Sequence, residues 1–151
     1  MSSPMCFFFS TEKAKFGAVG RILIVVQEGS KLKISPNGKR AVFCEVSMGS
    51  QHHRTPVVSN TGGDIKWNAS MQFLVKDLNE AVLCVTVMDK GYFSPDEFLG
   101  RTELPVIEVY RSTQGTPGPV VKKLRLREVE TGEVSLKLDV LLFESHSMEL
   151  R

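Results

Sequence analysis

Hydrophobic and polar residues alternate along much of the chain with the period of a β-strand. In residues 67–75 every second position is apolar, and Asn, Ser and Gln side chains occupy positions between them. Because successive side chains of a strand point to opposite faces, this pattern predicts a strand with one buried face and one face in water. Residues 42–48 and 134–143 alternate in a similar way and are also predicted to be strands.

The remaining segments have less regular patterns. Residues 21–27 are almost continuously aliphatic, which is typical of a strand buried on both faces, and residues 82–88 form another nearly continuous apolar run. Residues 98–104 and 120–127 indicate weaker strands, whereas only residues 106–111 suit a short helical turn. Since turn-forming residues and no long helix separate these segments, the pattern predicts an all-β fold, an antiparallel β-sandwich.

Composition and charge narrow the classes of partner. The chain has 151 residues, of which 42% are hydrophobic and 24% charged, as expected for about one folded domain. Its net charge of +2 is too small to hold nucleic acid through bulk charge, so we predict no nucleic-acid partner. No apolar run approaches the roughly 20 residues that span a bilayer, so any membrane contact is predicted to be peripheral.

The residues that would carry catalysis or hold a metal are sparse. The three cysteines are Cys6, Cys44 and Cys84, and their odd number and spacing favour reduced cytoplasmic thiols over disulfides or a zinc site. No phosphate-binding loop or nucleophile elbow is present, and the histidines do not suggest a catalytic triad. The sequence therefore predicts neither an enzyme nor a bound cofactor.

Several longer motifs are more specific. They are GR at 20–21, PNGK at 36–39, CEVSMGSQ at 44–51, KWN at 66–68, FSPDEFLGRTE at 93–103 and TGEV at 131–134. With them, residues 20–144 resemble a C2 domain, and in particular the C-terminal C2 domain of the intersectin family. The resemblance implies an eight-stranded antiparallel sandwich with the type II strand order. Residues 1–19 are then expected to form an irregular N-terminal extension and residues 145–151 a C-terminal tail.

The same resemblance bears on calcium. C2 domains that bind calcium place about five aspartates in two loops, because the ion needs several carboxylate oxygens. At the matching first-loop positions this chain has Ser35 and Ala41, and in the third loop Gly91 stands where a second aspartate is usual. The carboxylates that remain near these positions are Asp89, Asp96 and Glu97. They are too few for a high-affinity site, so we predict no metal, and we expect Asp89 to hydrogen-bond within its own loop.

A C2 domain that does not use calcium needs basic side chains for anionic lipid. Each Lys or Arg near such a surface contributes about 1 kcal/mol, and aromatic rings suit the bilayer interface. The candidates flank the first loop, lie in the third loop, or lie on the predicted strand at 120–127. They are Lys33, Lys39, Arg40, Lys90, Tyr92, Phe93, Lys122, Lys123, Arg125 and Arg127. Tyr92 and Phe93 either insert into the membrane or pack beneath their own loop.

The resemblance also implies a biological setting. Intersectins are endocytic scaffolds whose long forms activate small GTPases of the Rho family. We therefore expect a calcium-independent module, cytoplasmic and peripherally bound to anionic phospholipid membranes, in vesicle trafficking or small-GTPase signalling, with endocytic proteins as further partners. The alternative is a protein–protein interaction module that has lost lipid and calcium binding and uses a sheet face or the basic strand.

Overall fold

A computed structural model of the chain describes residues 17–33, 40–60, 64–113 and 118–143. These residues form nine strands and one short helix. In chain order the elements are β1 Gly20–Ser30, β2 Arg40–Met48, β3 Gln51–Arg54, β4 Val58–Asn60, β5 Ile65–Val75, β6 Val82–Asp89, β7 Glu97–Pro105, α1 Val106–Ser112, β8 Val120–Arg125 and β9 Glu133–Leu142.

The strands form two antiparallel sheets that pack face to face. The first sheet has the order β5-β1-β9-β8, and the second has the order β3-β2-β6-β7 with β4 also paired to β2. The predicted all-β sandwich is therefore confirmed, and the predicted helical turn is α1. Every strand predicted from the sequence is present with its ends moved by a few residues.

The strand count is nine among the described residues, rather than the expected eight, because one edge strand is interrupted. Both β3 and β4 pair with β2, and the break between them is residues 55–57, which include Thr55 and Pro56. Proline has no backbone N–H to donate. At the break, the amide of Cys44 donates to Oγ1 of Thr55 at 2.9 Å, and the amide of Thr55 donates to the carbonyl of Cys44 at 2.9 Å.

The core lies between the two sheets and is built from the alternating residues of each strand. On β5 the predicted apolar face is confirmed, since Trp67, Met71 and Phe73 are buried. The indole Nε1 of Trp67 donates a hydrogen bond of 3.0 Å to the carbonyl of Val42, which joins the first sheet to the second inside the core. A buried indole N–H needs such a partner, so this bond helps to set how the sheets align.

One expectation about the core is wrong. The aliphatic pattern of β1 predicts burial on both faces, but only Ile22, Ile24 and Val26 are fully buried, and Leu23 between them is 38% exposed. The outer face of the first sheet is open to solvent in the described part of the chain. An aliphatic run on such a strand reflects β-propensity on its outer positions rather than burial.

The topology brings four connections to one end of the sandwich, which we call the loop end. They are β1–β2, β4–β5, β6–β7 and β8–β9. Ser30 at the end of β1 pairs with Glu133 at the start of β9. Asp89 at the end of β6 pairs with Val42 on β2 and with Glu97 at the start of β7. Function in sandwiches concentrates on such loop clusters.

Candidate functional site

The connection between β6 and β7, residues 90–96, presents two aromatic rings to solvent; we call it the aromatic loop. Phe93 is fully exposed and Tyr92 is 69% exposed, so neither ring packs beneath its own loop. Lys90 is half-buried and its amide donates to the carbonyl of Ala41 at 2.7 Å, which fixes the start of the loop on β2. The loop therefore holds two uncovered rings beside a lysine.

The shape of the aromatic loop depends on Gly91. The amide of Gly91 donates to Oδ1 of Asp96 at 3.0 Å, which closes the loop on itself. A Cβ atom at position 91 would collide with the carbonyl oxygens of Ser94 and Pro95. Since any side chain would force the backbone to move, an aspartate at this position is incompatible with the observed loop.

The three acidic residues considered as calcium ligands, Asp89, Asp96 and Glu97, each have a partner within the protein. Oδ1 of Asp89 accepts a hydrogen bond of 3.0 Å from the amide of Ala41 on β2. The prediction that Asp89 hydrogen-bonds within its own loop is therefore wrong. Glu97 forms an ion pair of 3.0 Å with Lys33, and Asp96 holds Gly91. Within the described ranges, no three His, Cys, Asp or Glu side chains are grouped as metal ligands.

The basic residues that flank the first loop do not form one patch. Arg40 is only 7% exposed, and its guanidinium donates to the carbonyls of Leu32 at 3.2 Å and Lys33 at 3.0 Å. Contrary to the expectation, Arg40 does not present its charge at the surface. Its guanidinium instead binds the backbone of the β1–β2 connection just after β1. Lys33 is exposed and lies beside the aromatic loop through its pair with Glu97. Lys39 lies outside the described residues.

The second group of basic candidates lies on and just after β8, away from the aromatic loop. Lys123, Arg125 and Arg127 are exposed and Lys122 is half-buried. β8 forms the edge of the first sheet, whereas the aromatic loop joins two strands of the second. The candidate residues therefore fall into two groups. Lys33, Lys90, Tyr92 and Phe93 lie in or beside the aromatic loop, whereas Lys122, Lys123, Arg125 and Arg127 lie on and just after β8.

The strand after β2 has a structural role that sequence reasoning missed. The side chain of Gln51 donates to the carbonyl of Leu74 at 2.7 Å and accepts from its amide at 2.8 Å. Further along the same strand, a ring nitrogen of His53 lies 2.9 Å from the carbonyl of Gln72. These bonds tie β3 of the second sheet to β5 of the first. Since the partners are backbone groups of a distant strand, no local sequence signal identifies them.

Sequence reasoning also missed a further exposed ring. Phe98, near the start of β7, is 36% exposed and pairs with Met88 beside the aromatic loop. The signal that could have identified it is its position next to Leu99 on the strand. Because successive side chains point to opposite faces and Leu99 is buried, Phe98 lies on the outer face. Phe98 extends the apolar surface at the base of the loop.

The profile of the C2 domain family matches residues 20–120. The chain belongs to the C2 domain family. This C2 domain is 44% identical over 141 residues to Intersectin-2 of Mus musculus and 46% identical over 127 residues to Intersectin-1 of Homo sapiens. The matches cover 93% and 83% of this chain but only 8% and 7% of those proteins.

Solved structures agree with the C2 fold at lower sequence identity. A C2 domain of plant Extended Synaptotagmin 1 has a TM-score of 0.73 and 21% identity over 83% of this chain and 97% of its own. The paired C2 domains of Extended Synaptotagmin 2 give a TM-score of 0.73 and 24% identity over 83% of this chain and 42% of theirs. Among the described residues, no helix is long and apolar enough to cross a membrane.

Proposed function

We propose that this C2 domain attaches peripherally to anionic phospholipid membranes through its loop end, without calcium. The observation that carries the proposal is the pair of exposed rings, Tyr92 and Phe93, at the tip of a loop that is closed on itself by Asp96. Exposed aromatic rings are unfavourable in water and are enriched at the membrane interface. A loop held in shape also presents them with little loss of conformational entropy on binding.

Charge supplies the second part of the attraction. Lys90 lies within the aromatic loop, and Lys33 lies against it through Glu97. Each lysine near an anionic surface contributes about 1 kcal/mol and is screened by salt. Since Glu97 already offsets part of the charge of Lys33, we expect weak binding that rises with the content of anionic lipid and falls with ionic strength.

Calcium independence is supported by the same loop. Gly91 leaves no space for the side chain of a second aspartate. Asp89 and Glu97 are engaged with Ala41 and Lys33. A calcium ion requires six to eight oxygens, so several existing bonds would have to break to bind it.

The similarity to intersectins supports a setting for this membrane attachment. We propose a cytoplasmic, peripheral module in vesicle trafficking or small-GTPase signalling, with endocytic proteins as partners and no catalytic activity of its own. We further propose that residues 20–144 form the folded module, that residues 1–19 are an extension and that residues 145–151 are a tail.

Vesicle cosedimentation tests the proposal. Vesicles of phosphatidylcholine with and without phosphatidylserine are compared at about 0.1 M and 0.5 M salt, each with calcium or with a chelator. We expect binding that requires phosphatidylserine, weakens with salt and is unchanged by calcium. Tyr92→Ser with Phe93→Ser should abolish it, whereas Leu141→Ser, at an exposed apolar position on β9, should not. Binding that needs calcium, or that survives loss of both rings, would refute the proposal.

A further inference from the structure

The strand β8 has an open edge. It is the last strand of the first sheet, and among the described residues no other strand pairs with its outer side. Its residues Val120–Arg125 pair with β9 on the inner side only. A strand in this position leaves a row of backbone donors and acceptors available to an added strand.

The outward face of β8 carries one exposed apolar residue followed by cations. Val121 is 60% exposed, and Lys123 and Arg125 are exposed on the same face of the strand. Lys123 has a long ion pair of 3.6 Å with Glu133, and Arg125 donates to the carbonyl of Glu130 at 3.4 Å. The strand therefore offers positive charge that its own surroundings offset only in part.

A groove lies beside this edge, between β7 and β8. The backbone of Arg127 donates to the carbonyl of Arg101 at 2.7 Å and closes the seam between the two sheets near the loop end. Beside this bridge lies a groove of about 510 Å³, which is lined by residues of β7, α1 and the chain at 124–129. Leu124, Leu126 and Val129 form apolar parts of its lining, and Glu103 and Glu108 line it from β7 and α1. Side chains on the inner face of an added strand would enter this groove.

We propose that β8 binds an extended acidic segment of a partner protein, which adds to the first sheet as a fifth strand. Acidic side chains of the segment lie opposite Lys123 and Arg125, and an apolar side chain between them turns toward the groove. Backbone hydrogen bonds supply affinity, and cross-strand charge pairs select the partner.

The open edge favours a peptide over a lipid headgroup. A phosphate can neutralise Lys123 and Arg125, but it cannot pair with the repeating amides and carbonyls of the strand. Lysine on an edge strand also opposes pairing with a second basic edge. It therefore disfavours a second copy of this chain while it permits an acidic partner. This surface is distinct from the aromatic loop, because β8 belongs to the first sheet and the aromatic loop joins two strands of the second.

The probe is an N-acetylated, C-amidated hexapeptide in which Glu and Val alternate, titrated into the isotopically labelled chain and followed by NMR. We expect amide shift changes concentrated at residues 120–127. Strand addition is tested with two N-methylated versions of this peptide. One is methylated at the odd-numbered amides and the other at the even-numbered amides, so each has one of its two edges blocked. One of them should bind at least about tenfold more weakly, because only one edge of the peptide donates to β8.

Charge variants complete the test. Lys123→Glu with Arg125→Glu should weaken peptide binding about tenfold. The control Lys66→Glu with Lys76→Glu makes the same change of charge at exposed positions on and just after β5, the other edge strand of the first sheet, and should have an effect below about twofold. Circular dichroism verifies that both variants fold. Equal effects of the two variants, equal binding of both methylated peptides, or shifts confined to residues 90–96 would overturn the proposal. So would a loss of binding to phosphatidylserine vesicles in Lys123→Glu with Arg125→Glu while peptide binding is unchanged.

Discussion

The amide nitrogen of Ala41 donates a hydrogen bond of 3.0 Å to Oδ1 of Asp89. The resemblance to C2 domains implies that both positions match calcium-ligand positions of that family, and here they are joined directly to each other. The carbonyl of Ala41 also accepts from the amide of Lys90 at 2.7 Å. Together the two bonds attach the end of β6 and the start of the aromatic loop directly to β2.

This contact gives a first prediction about Asp89. Asp89→Ala leaves the amide of Ala41 without its partner and should lower the free energy of unfolding by about 1 kcal/mol. Asp89→Asn keeps an amide oxygen in the same place and should stay close to wild type. Urea denaturation measures both. Equal destabilisation by the two variants would show that the charge, and not the hydrogen bond, is what matters at this position.

Arg40 is predicted to act in stability rather than in lipid binding. Arg40→Ala removes the donors to the carbonyls of Leu32 and Lys33 and should destabilise the fold by roughly 2 kcal/mol. The control Lys66→Ala, at an exposed position, should change stability by less than about 0.5 kcal/mol. Thermal unfolding and vesicle binding are measured together. Loss of vesicle binding in Arg40→Ala with unchanged stability would contradict the structural role.

Gly100 and Gly118 allow a prediction in which backbone strain is held constant. Their φ angles are +131° and +130°, so substitution by Ala has a similar conformational cost at both. A Cβ at Gly100 would lie 2.7 Å from Cβ of Leu126, whereas nothing lies within 4 Å of one at Gly118. Gly100→Ala should therefore destabilise the chain by about 1–3 kcal/mol more than Gly118→Ala in urea. Similar losses would show that this contact relaxes without cost.

Two cysteines should differ in reactivity. Burial raises the pKa of the Cys44 thiol well above its ordinary value, while Cys84 is half-buried at the surface of β6. With iodoacetamide at about pH 8, Cys84 should react in the native state and Cys44 only after unfolding. Peptide mapping by mass spectrometry assigns the sites. Alkylation of Cys44 as fast as that of Cys84 under native conditions would contradict its burial.

The raised pKa of Cys44 also predicts a pH dependence of stability. Above pH 9.0 the unfolded chain releases the proton of Cys44 while the folded chain retains it. The stability that this thiol contributes is therefore fully present below pH 9.0 and decreases as the pH rises beyond it. Cys44→Ala should reduce this alkaline decrease in urea unfolding experiments, whereas Cys84→Ala should leave it in place.

Local sequence patterns are sufficient to predict the β-sandwich and most of its strands. Period-two alternation in residues 67–75 predicts the buried face of β5, because the geometry of a strand is local. The short helix after β7 is also predicted from the local sequence, at residues 106–111. The motifs from residues 93 to 103 also indicate the C2 family, which the family match supports.

The burial and the partners of individual side chains, in contrast, follow from the folded arrangement of the strands. The sequence left open whether Tyr92 and Phe93 are buried or exposed, and the bond between Gly91 and Asp96 shapes the loop that exposes them. The sequence predicts Arg40 to be a surface cation, but folding brings two carbonyls of the β1–β2 connection to its guanidinium. Burial and hydrogen-bond partners depend on segments that meet only after folding, whereas strand periodicity depends on neighbours in the chain.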